Sequence, residues 1–145
     1  DGTTRARITT GAGSDGHPDW NPLSAVQPIV ACAGRVVTVD LSHGESPTSG
    51  NDVIRGRTVA DVVNAGGGND LVCARGGADV VDLGGGNDRA LGGNGNDTLR
   101  GSAGRDTLEG QNQNDTLVGG PDRDVAKGGP GNDTATGCEV LLGIP

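Results

Sequence analysis

Apolar residues recur at one fixed interval through most of this chain. Ile54, Val63, Val72, Val81, Ala90, Leu99, Leu108, Leu117, Ala126 and Ala135 stand nine residues apart, and two residues before each stands an aspartate. Around each aspartate the pattern is polar and glycine-rich, as in GGNGNDTLRG over residues 92–101. Each unit divides into six residues that favour a turn and three that favour a strand. In so short a strand the middle residue faces one way and its neighbours the other. The middle residue is the apolar one, so it points inward. The glycine-rich hexapeptide must then reverse the chain, which calls for the left-handed backbone that glycine adopts at low cost. Strand, turn, strand, turn makes one 18-residue coil, and the repeat predicts an all-β, right-handed parallel β-roll with coils stacked about 4.8 Å apart.

Composition narrows the picture. Of 145 residues 29 are glycine, one is aromatic (Trp20) and none is methionine. No ordinary globular core can be built from that, so each coil depends on its neighbours. No apolar run approaches the ~18 residues that span a bilayer. The chain begins with Asp1 and not Met, which fits a signal peptide either removed or cropped.

The net charge is −8, from 19 acidic and 11 basic residues. An acidic surface argues against a nucleic-acid partner. Ten of the acids are the periodic aspartates, and the coil geometry sorts them into two files. Asp52, Asp70, Asp88, Asp106 and Asp124 fall along one edge; Asp61, Asp79, Asp97, Asp115 and Asp133 fall along the other. Two unit charges one sheet spacing apart repel by roughly 3–4 kcal/mol at an effective dielectric of 20. A divalent cation between coils converts that repulsion into a bridge. Carboxylates beside turn carbonyls make a flexible all-oxygen site, which suits Ca2+ better than Mg2+ or Zn2+.

GGGNDLV, GGADVVDL, GGNGNDTLR and GGPGNDTAT closely resemble the GGxGxDxUx nonapeptide of RTX (haemolysin-type) calcium-binding proteins. The resemblance covers about 90 residues, and its register is what matches. It implies a parallel β-roll with Ca2+ held between turns of one edge by the aspartates and by backbone carbonyls, here those of Gly66, Gly68, Gly84, Gly86, Gly93, Gly95, Gly129 and Gly131. VVTVDLSHG, residues 36–44, looks like the strand that leads into such rolls, and NDTATGCEV is similar to the ending of small secreted actinobacterial members. The expected organisation is a non-repeat segment or cap over 1–31, a lead-in strand over 32–46, the roll over 47–136 and a tail over 137–145.

The repeats are unequal. PTSGND, AGGGND and LGGGND carry the best turns of the first file, whereas GSAGRD and GGPDRD put Arg105 and Arg123 where Asn stands elsewhere. In the second file GRTVAD has β-branched Val59 at a glycine position, ARGGAD lacks the Asn, and GQNQND has Gln113. Strong sites are expected between Asp52, Asp70 and Asp88 and between Asp97, Asp115 and Asp133, with the Asp61–Asp79 site weakest. One apolar residue per unit is a thin core to set against the entropy of ordering the chain. Calcium is therefore expected to be structural, its binding coupled to folding.

Outside the repeat, residues 17–30 hold three prolines and the only tryptophan and read either as a cap over the first coil or as a docking segment. Of the three cysteines, Cys73 and Cys138 lie 65 residues apart, about 3.6 coils or roughly 17 Å along the axis, beyond the ~7 Å that a disulfide tolerates. Cys32 and Cys73 are the expected pair, which leaves Cys138 free or bridging two chains.

No catalytic set is visible: His17 and His43 are isolated, and neither a GxSxG nor an HExxH motif occurs. The expected function is a secreted, non-enzymatic, calcium-binding module that folds on meeting calcium and serves structure or interaction. One alternative is an accessory domain of a secreted hydrolase. The other is an ice-binding or adhesive solenoid, from the outward file Thr98, Thr116, Thr134, although Val62 and Val80 occupy its earlier places.

Overall fold

The computed structural model describes residues 30–144. The cap or docking segment expected over residues 17–30 lies, but for Val30, outside the described residues. The described chain opens with β1 (Val30–Cys32), β2 (Arg35–Val36) and β3 (Val39–Asp40), then one 3-10 turn over Leu41–His43. The repeat contributes β4 (Val53–Arg55), β5 (Val62–Asn64), β6 (Leu71–Gly76), β7 (Val80–Asp82) and β8 (Arg89–Asn94). It continues through β9 (Thr98–Arg100), β10 (Thr107–Asn112), β11 (Thr116–Val118), β12 (Val125–Lys127) and β13 (Thr134–Thr136), and β14 (Val140–Leu142) follows.

Alternate strands form two parallel sheets. A seven-stranded sheet runs β14-β12-β10-β8-β6-β4-β3, and a five-stranded sheet runs β13-β11-β9-β7-β5. Ile54 pairs with Val72, Val72 with Ala90, Ala90 with Leu108 and Leu108 with Ala126, so the coil length is 18 residues as the period requires. Val63, Val81, Leu99, Leu117 and Ala135 register the same way in the second sheet. These middle residues face the interior, and all but the partly buried Ala135 are at most 3% exposed. The expected β-solenoid is the observed fold.

The interior holds more than one residue per unit. Ala65, Ala74 and Leu83, two positions beyond the inward residue of their strands, are also fully buried. The alternation simply continues inward at that position. Further along, the same place is taken by Gly92, Gly101, Gly110, Gly119 and Gly128, all buried.

The seven-stranded sheet also extends past both expected boundaries of the roll. Val39 in the lead-in pairs with Ile54, and Ala126 pairs with Leu141 in the tail, so each end coil is 15 residues long. Among the described residues the shorter coils extend this sheet and not the five-stranded one.

Cys32 and Cys73 form the expected disulfide, with Cα atoms 5.5 Å apart. It pins β1 to the outer face of the seven-stranded sheet over Leu71, beside Val53 and Leu91. Cys138 is unpaired, and its thiol donates weakly to the Thr136 carbonyl at 3.5 Å. Burial raises its pKa, with Asp124 and Glu139 adding to the effect against a backbone hydrogen bond from Gly119, so it stays protonated. On the five-stranded face Thr98, Thr116 and Thr134 do register in one file, which Val80 and the 86% exposed Val62 continue.

Candidate metal centre

Each periodic aspartate stands just before a strand, at the end of a turn that must let the next coil stack on it. Gly84 and Gly86 show how. Both have positive φ, 88° and 141°, and a Cβ on either would collide with the carbonyl oxygen of Gly66 or Gly68 one coil back. The turn carbonyls of one coil therefore face the turn glycines of the next. Gly66, Gly68, Gly93, Gly95, Gly129 and Gly131 share this left-handed conformation, and Gln113 adopts it too at φ 77°. Val59 does not, and the 56–61 turn is built differently. The turn before Asp52 also departs from expectation: Gly50 is not left-handed, and PTSGND is not the geometric equal of the turns before Asp70 and Asp88.

All ten aspartates are buried, at most 6% exposed. From Asp70 and Asp79 onward each Oδ1 accepts the backbone N–H of the aspartate one coil earlier, in eight bonds of 2.6–2.9 Å. The other oxygen, Oδ2, of Asp70, Asp79, Asp88, Asp97, Asp106, Asp115, Asp124 and Asp133 is buried with no hydrogen-bond partner. A buried carboxylate oxygen left so is costly, and it occurs eight times in register.

Several of these oxygens have a carbonyl close by. A Cβ on Gly92 would lie 2.5 Å from Asp97 Oδ2 and 2.7 Å from the carbonyl oxygen of Gly110 in the next coil. Gly101 lies likewise between Asp106 Oδ2 and the Gly119 carbonyl, and Gly128 between Asp133 Oδ2 and the Gly143 carbonyl. At each of these glycines a carboxylate oxygen and a carbonyl oxygen converge, and no N–H hydrogen-bonds to the unpartnered Oδ2. The chemistry fits a hard cation. No group of three or more His, Cys, Asp or Glu side chains is assembled among the described residues, so an ion here would draw on backbone carbonyls as well.

Electrostatics point the same way. Burial, partly opposed by the amide hydrogen bond and reinforced by neighbours in the file, pushes Asp79, Asp88 and Asp115 up to about 6. Burial also raises Asp70, Asp97, Asp106 and Asp124. The folded chain holds these groups where ionisation is disfavoured unless positive charge arrives.

The first aspartate of each file is different. Asp52 Oδ2 accepts from Thr48 N–H at 2.7 Å and Thr48 Oγ1 at 2.9 Å, and its Oδ1 meets Thr38 Oγ1 at 3.3 Å. Asp61 Oδ2 accepts from Arg57 N–H at 2.7 Å, while Arg57 Nε donates to Oδ1 at 2.6 Å. An arginine already compensates the aspartate expected to begin the weakest site.

A second ladder runs beside the first, and sequence reasoning missed it. Where an asparagine precedes the aspartate and a further coil follows, its Oδ1 accepts the backbone N–H of the residue one coil later: Asn51 from Asn69, Asn69 from Asn87, Asn87 from Arg105. Arg105 has no acceptor to pass on, and the ladder stops there. In the other file Asn96 accepts from Asn114 and Asn114 from Asn132. Glu139 was also missed, although Glu-Val-Leu repeats the acid, strand residue and inward residue of every unit. Its Oε2 accepts Asp124 N–H at 2.6 Å, the bond that an aspartate makes elsewhere. Its interval is 15 rather than 18, which hid it.

No curated protein and no solved structure matches the chain. The family model for the RTX calcium-binding nonapeptide repeat (4 copies) matches over residues 47–81, 60–90, 82–117, 91–126 and 109–137. Together these span 47–137, the stretch that carries both aspartate files and the stacked turns. With the register, the solenoid and the family model agreeing over more than half of its length, the chain belongs to the RTX calcium-binding nonapeptide-repeat family.

Proposed function

We propose that the roll is a secreted, non-enzymatic module whose folding is driven by calcium, with ions bound between successive coils along both edges. The observation that carries this reading is the set of eight buried, unpartnered carboxylate oxygens in two files. In each file the aspartates from Asp70 and Asp79 onward are the side-chain ligands, and the carbonyls of Gly66, Gly68, Gly84, Gly86, Gly93, Gly95, Gly129 and Gly131 are the backbone candidates. Bound calcium supplies the positive charge that lets these carboxylates ionise inside the fold. The chain's own part is to hold each Oδ1 on an amide, leave Oδ2 open, and keep Cβ atoms out of the gap between coils. Asp52 and Asp61, satisfied by Thr48 and Arg57, contribute least. The roll proper occupies 47–136, with the lead-in and tail as its closing coils, and acts as a rigid spacer or interaction surface outside the cell.

Circular dichroism tests the reading. In EGTA at neutral pH the chain is expected to lose its strand signal, and millimolar Ca2+ is expected to restore it. A chain that stays folded and compact in chelator would remove calcium-driven folding as its function.

A further inference from the structure

We propose that Glu139 is the sixth carboxylate of the first file, and that Asp124 and Glu139 together bind a calcium ion at the C-terminal end of the roll. This rests on the calcium-dependent reading above and adds a site to it.

Three observations converge. First, Glu139 occupies the aspartate register. Val125 pairs with Val140 and Ala126 with Leu141, which sets Glu139 opposite Asp124. Its Oε2 takes the Asp124 N–H at 2.6 Å, as Asp124 Oδ1 takes the Asp106 N–H at 2.8 Å. Second, Asp124 is wholly buried, and its Oδ2 has no partner. Third, the carbonyl oxygen of Gly137 crowds the place of a Gly119 Cβ, beside Asp124 Oδ2 at 2.5 Å. Around Gly101 the Gly119 carbonyl and Asp106 Oδ2 have the same arrangement. The last interval thus repeats the oxygen set of the one before it.

The choice of glutamate follows from the coil length. From Gly119 to Asp124 the turn takes five residues, whereas from Gly137 to Glu139 it takes two. The shortened turn carries no glycine-rich hexapeptide, and the extra methylene of glutamate gives the carboxylate the reach that the missing backbone would have supplied. Glu139 is also open to solvent, unlike the ten aspartates. An ion held there exchanges faster than those between inner coils and is the first to leave as calcium falls.

Glu139→Gln separates an ion ligand from a simple cap on the Asp124 amide, because a glutamine oxygen still accepts that hydrogen bond. Native mass spectrometry of the full chain in calcium is expected to show one ion fewer per chain for Glu139→Gln than for the wild type. A variant with the wild-type number would overturn the proposal and leave Glu139 a cap. A wild type that binds no calcium would remove this proposal and the general reading together. A second measurement needs no variant. The chain has only three glutamates, Glu45, Glu109 and Glu139. With 13C-carboxylate glutamate in the calcium-loaded protein, replacing Ca2+ by Sr2+ is expected to shift the infrared antisymmetric stretch of one of the three. If no glutamate band moves, the proposal fails.

Discussion

The first coils and the last are written in the same nonapeptide but are held together differently. From Val63 to Leu83 the interior carries two apolar positions per unit, with Ala65, Ala74 and Leu83 added to Val63, Val72 and Val81, while the unit of Ile54 has Gly56 there. The Cys32–Cys73 disulfide ties the lead-in to these coils, and the leading carboxylates are satisfied by Thr48 and Arg57. Beyond Leu91 the second inward position is glycine in every unit, and the inward residues dwindle from Leu99, Leu108 and Leu117 to Ala126 and Ala135. There an aspartate Oδ2 stands against the place that a Cβ would take at Gly92, Gly101, Gly110, Gly119 and Gly128. One repeat thus supports two interiors, with more apolar contact in the earlier coils and glycine beside carboxylate in the later ones. A methyl or isobutyl group at the second inward position supplies burial of about 25 cal/mol per Å2, and a glycine supplies none.

Graded calcium withdrawal should break the molecule along this line. Hydrogen exchange followed at falling calcium is expected to show the amides of β9 to β13 losing protection before those of β4 to β7. Simultaneous loss in all coils would mean that the two halves are one cooperative unit and that the packing difference has no energetic weight.

A pair of substitutions sharpens the contrast between satisfied and unsatisfied carboxylates. Asp88 stands mid-file with an unpartnered Oδ2, and Asp61 is already held by Arg57. Asp88→Ala is expected to reduce calcium stoichiometry and to cost about 3–5 kcal/mol in calcium, the scale for breaking a compensated buried charge. Asp61→Ala should cost about 1 kcal/mol, since it frees one amide and breaks an ion pair whose half-exposed arginine makes it weak. Calcium counting and thermal melting of the two variants check this; equal losses would contradict it.

The smallest expected effect is a proton standing in for the ion. Asp79, Asp88 and Asp115 are raised from an ordinary 3.8 to about 6 in the fold, so between these values the folded chain binds more protons than the unfolded one. Stability without calcium is then greatest below about pH 4 and falls as pH rises through about 6. Calcium-stripped protein in metal-free buffer should regain part of its strand signal on acidification. An acid titration that shows no gain, or a loss, would refute this.

The disulfide, both aspartate files and the β-solenoid were legible in the sequence; the pairing of Asp61 with Arg57 was not. An unbroken nine-residue period leaves each residue only one kind of neighbour, its own equivalent 18 positions away, so repetition along the chain determines contact in space. The outward threonine file was equally plain. The details of the hydrogen bonding were not. That Oδ1 goes to an amide and Oδ2 stays open depends on where the backbone N–H points, which spacing does not encode.

What the sequence by itself determined is everything that follows from translation: coil length, sheet pairing, the inward face and the ranks of carboxylate. What only the tertiary structure decided lies where translation stops. Arg57 and Thr48 satisfy the first aspartates because each file begins there, with no earlier aspartate in register. The two 15-residue coils end the seven-stranded sheet on either side, and Glu139 takes the aspartate's place in the second of them. Leu83 fills a place that glycine takes later because the interior widens or narrows only as real side chains pack. At an end there is no equivalent residue to infer from, and local hydrogen bonding and packing set the answer.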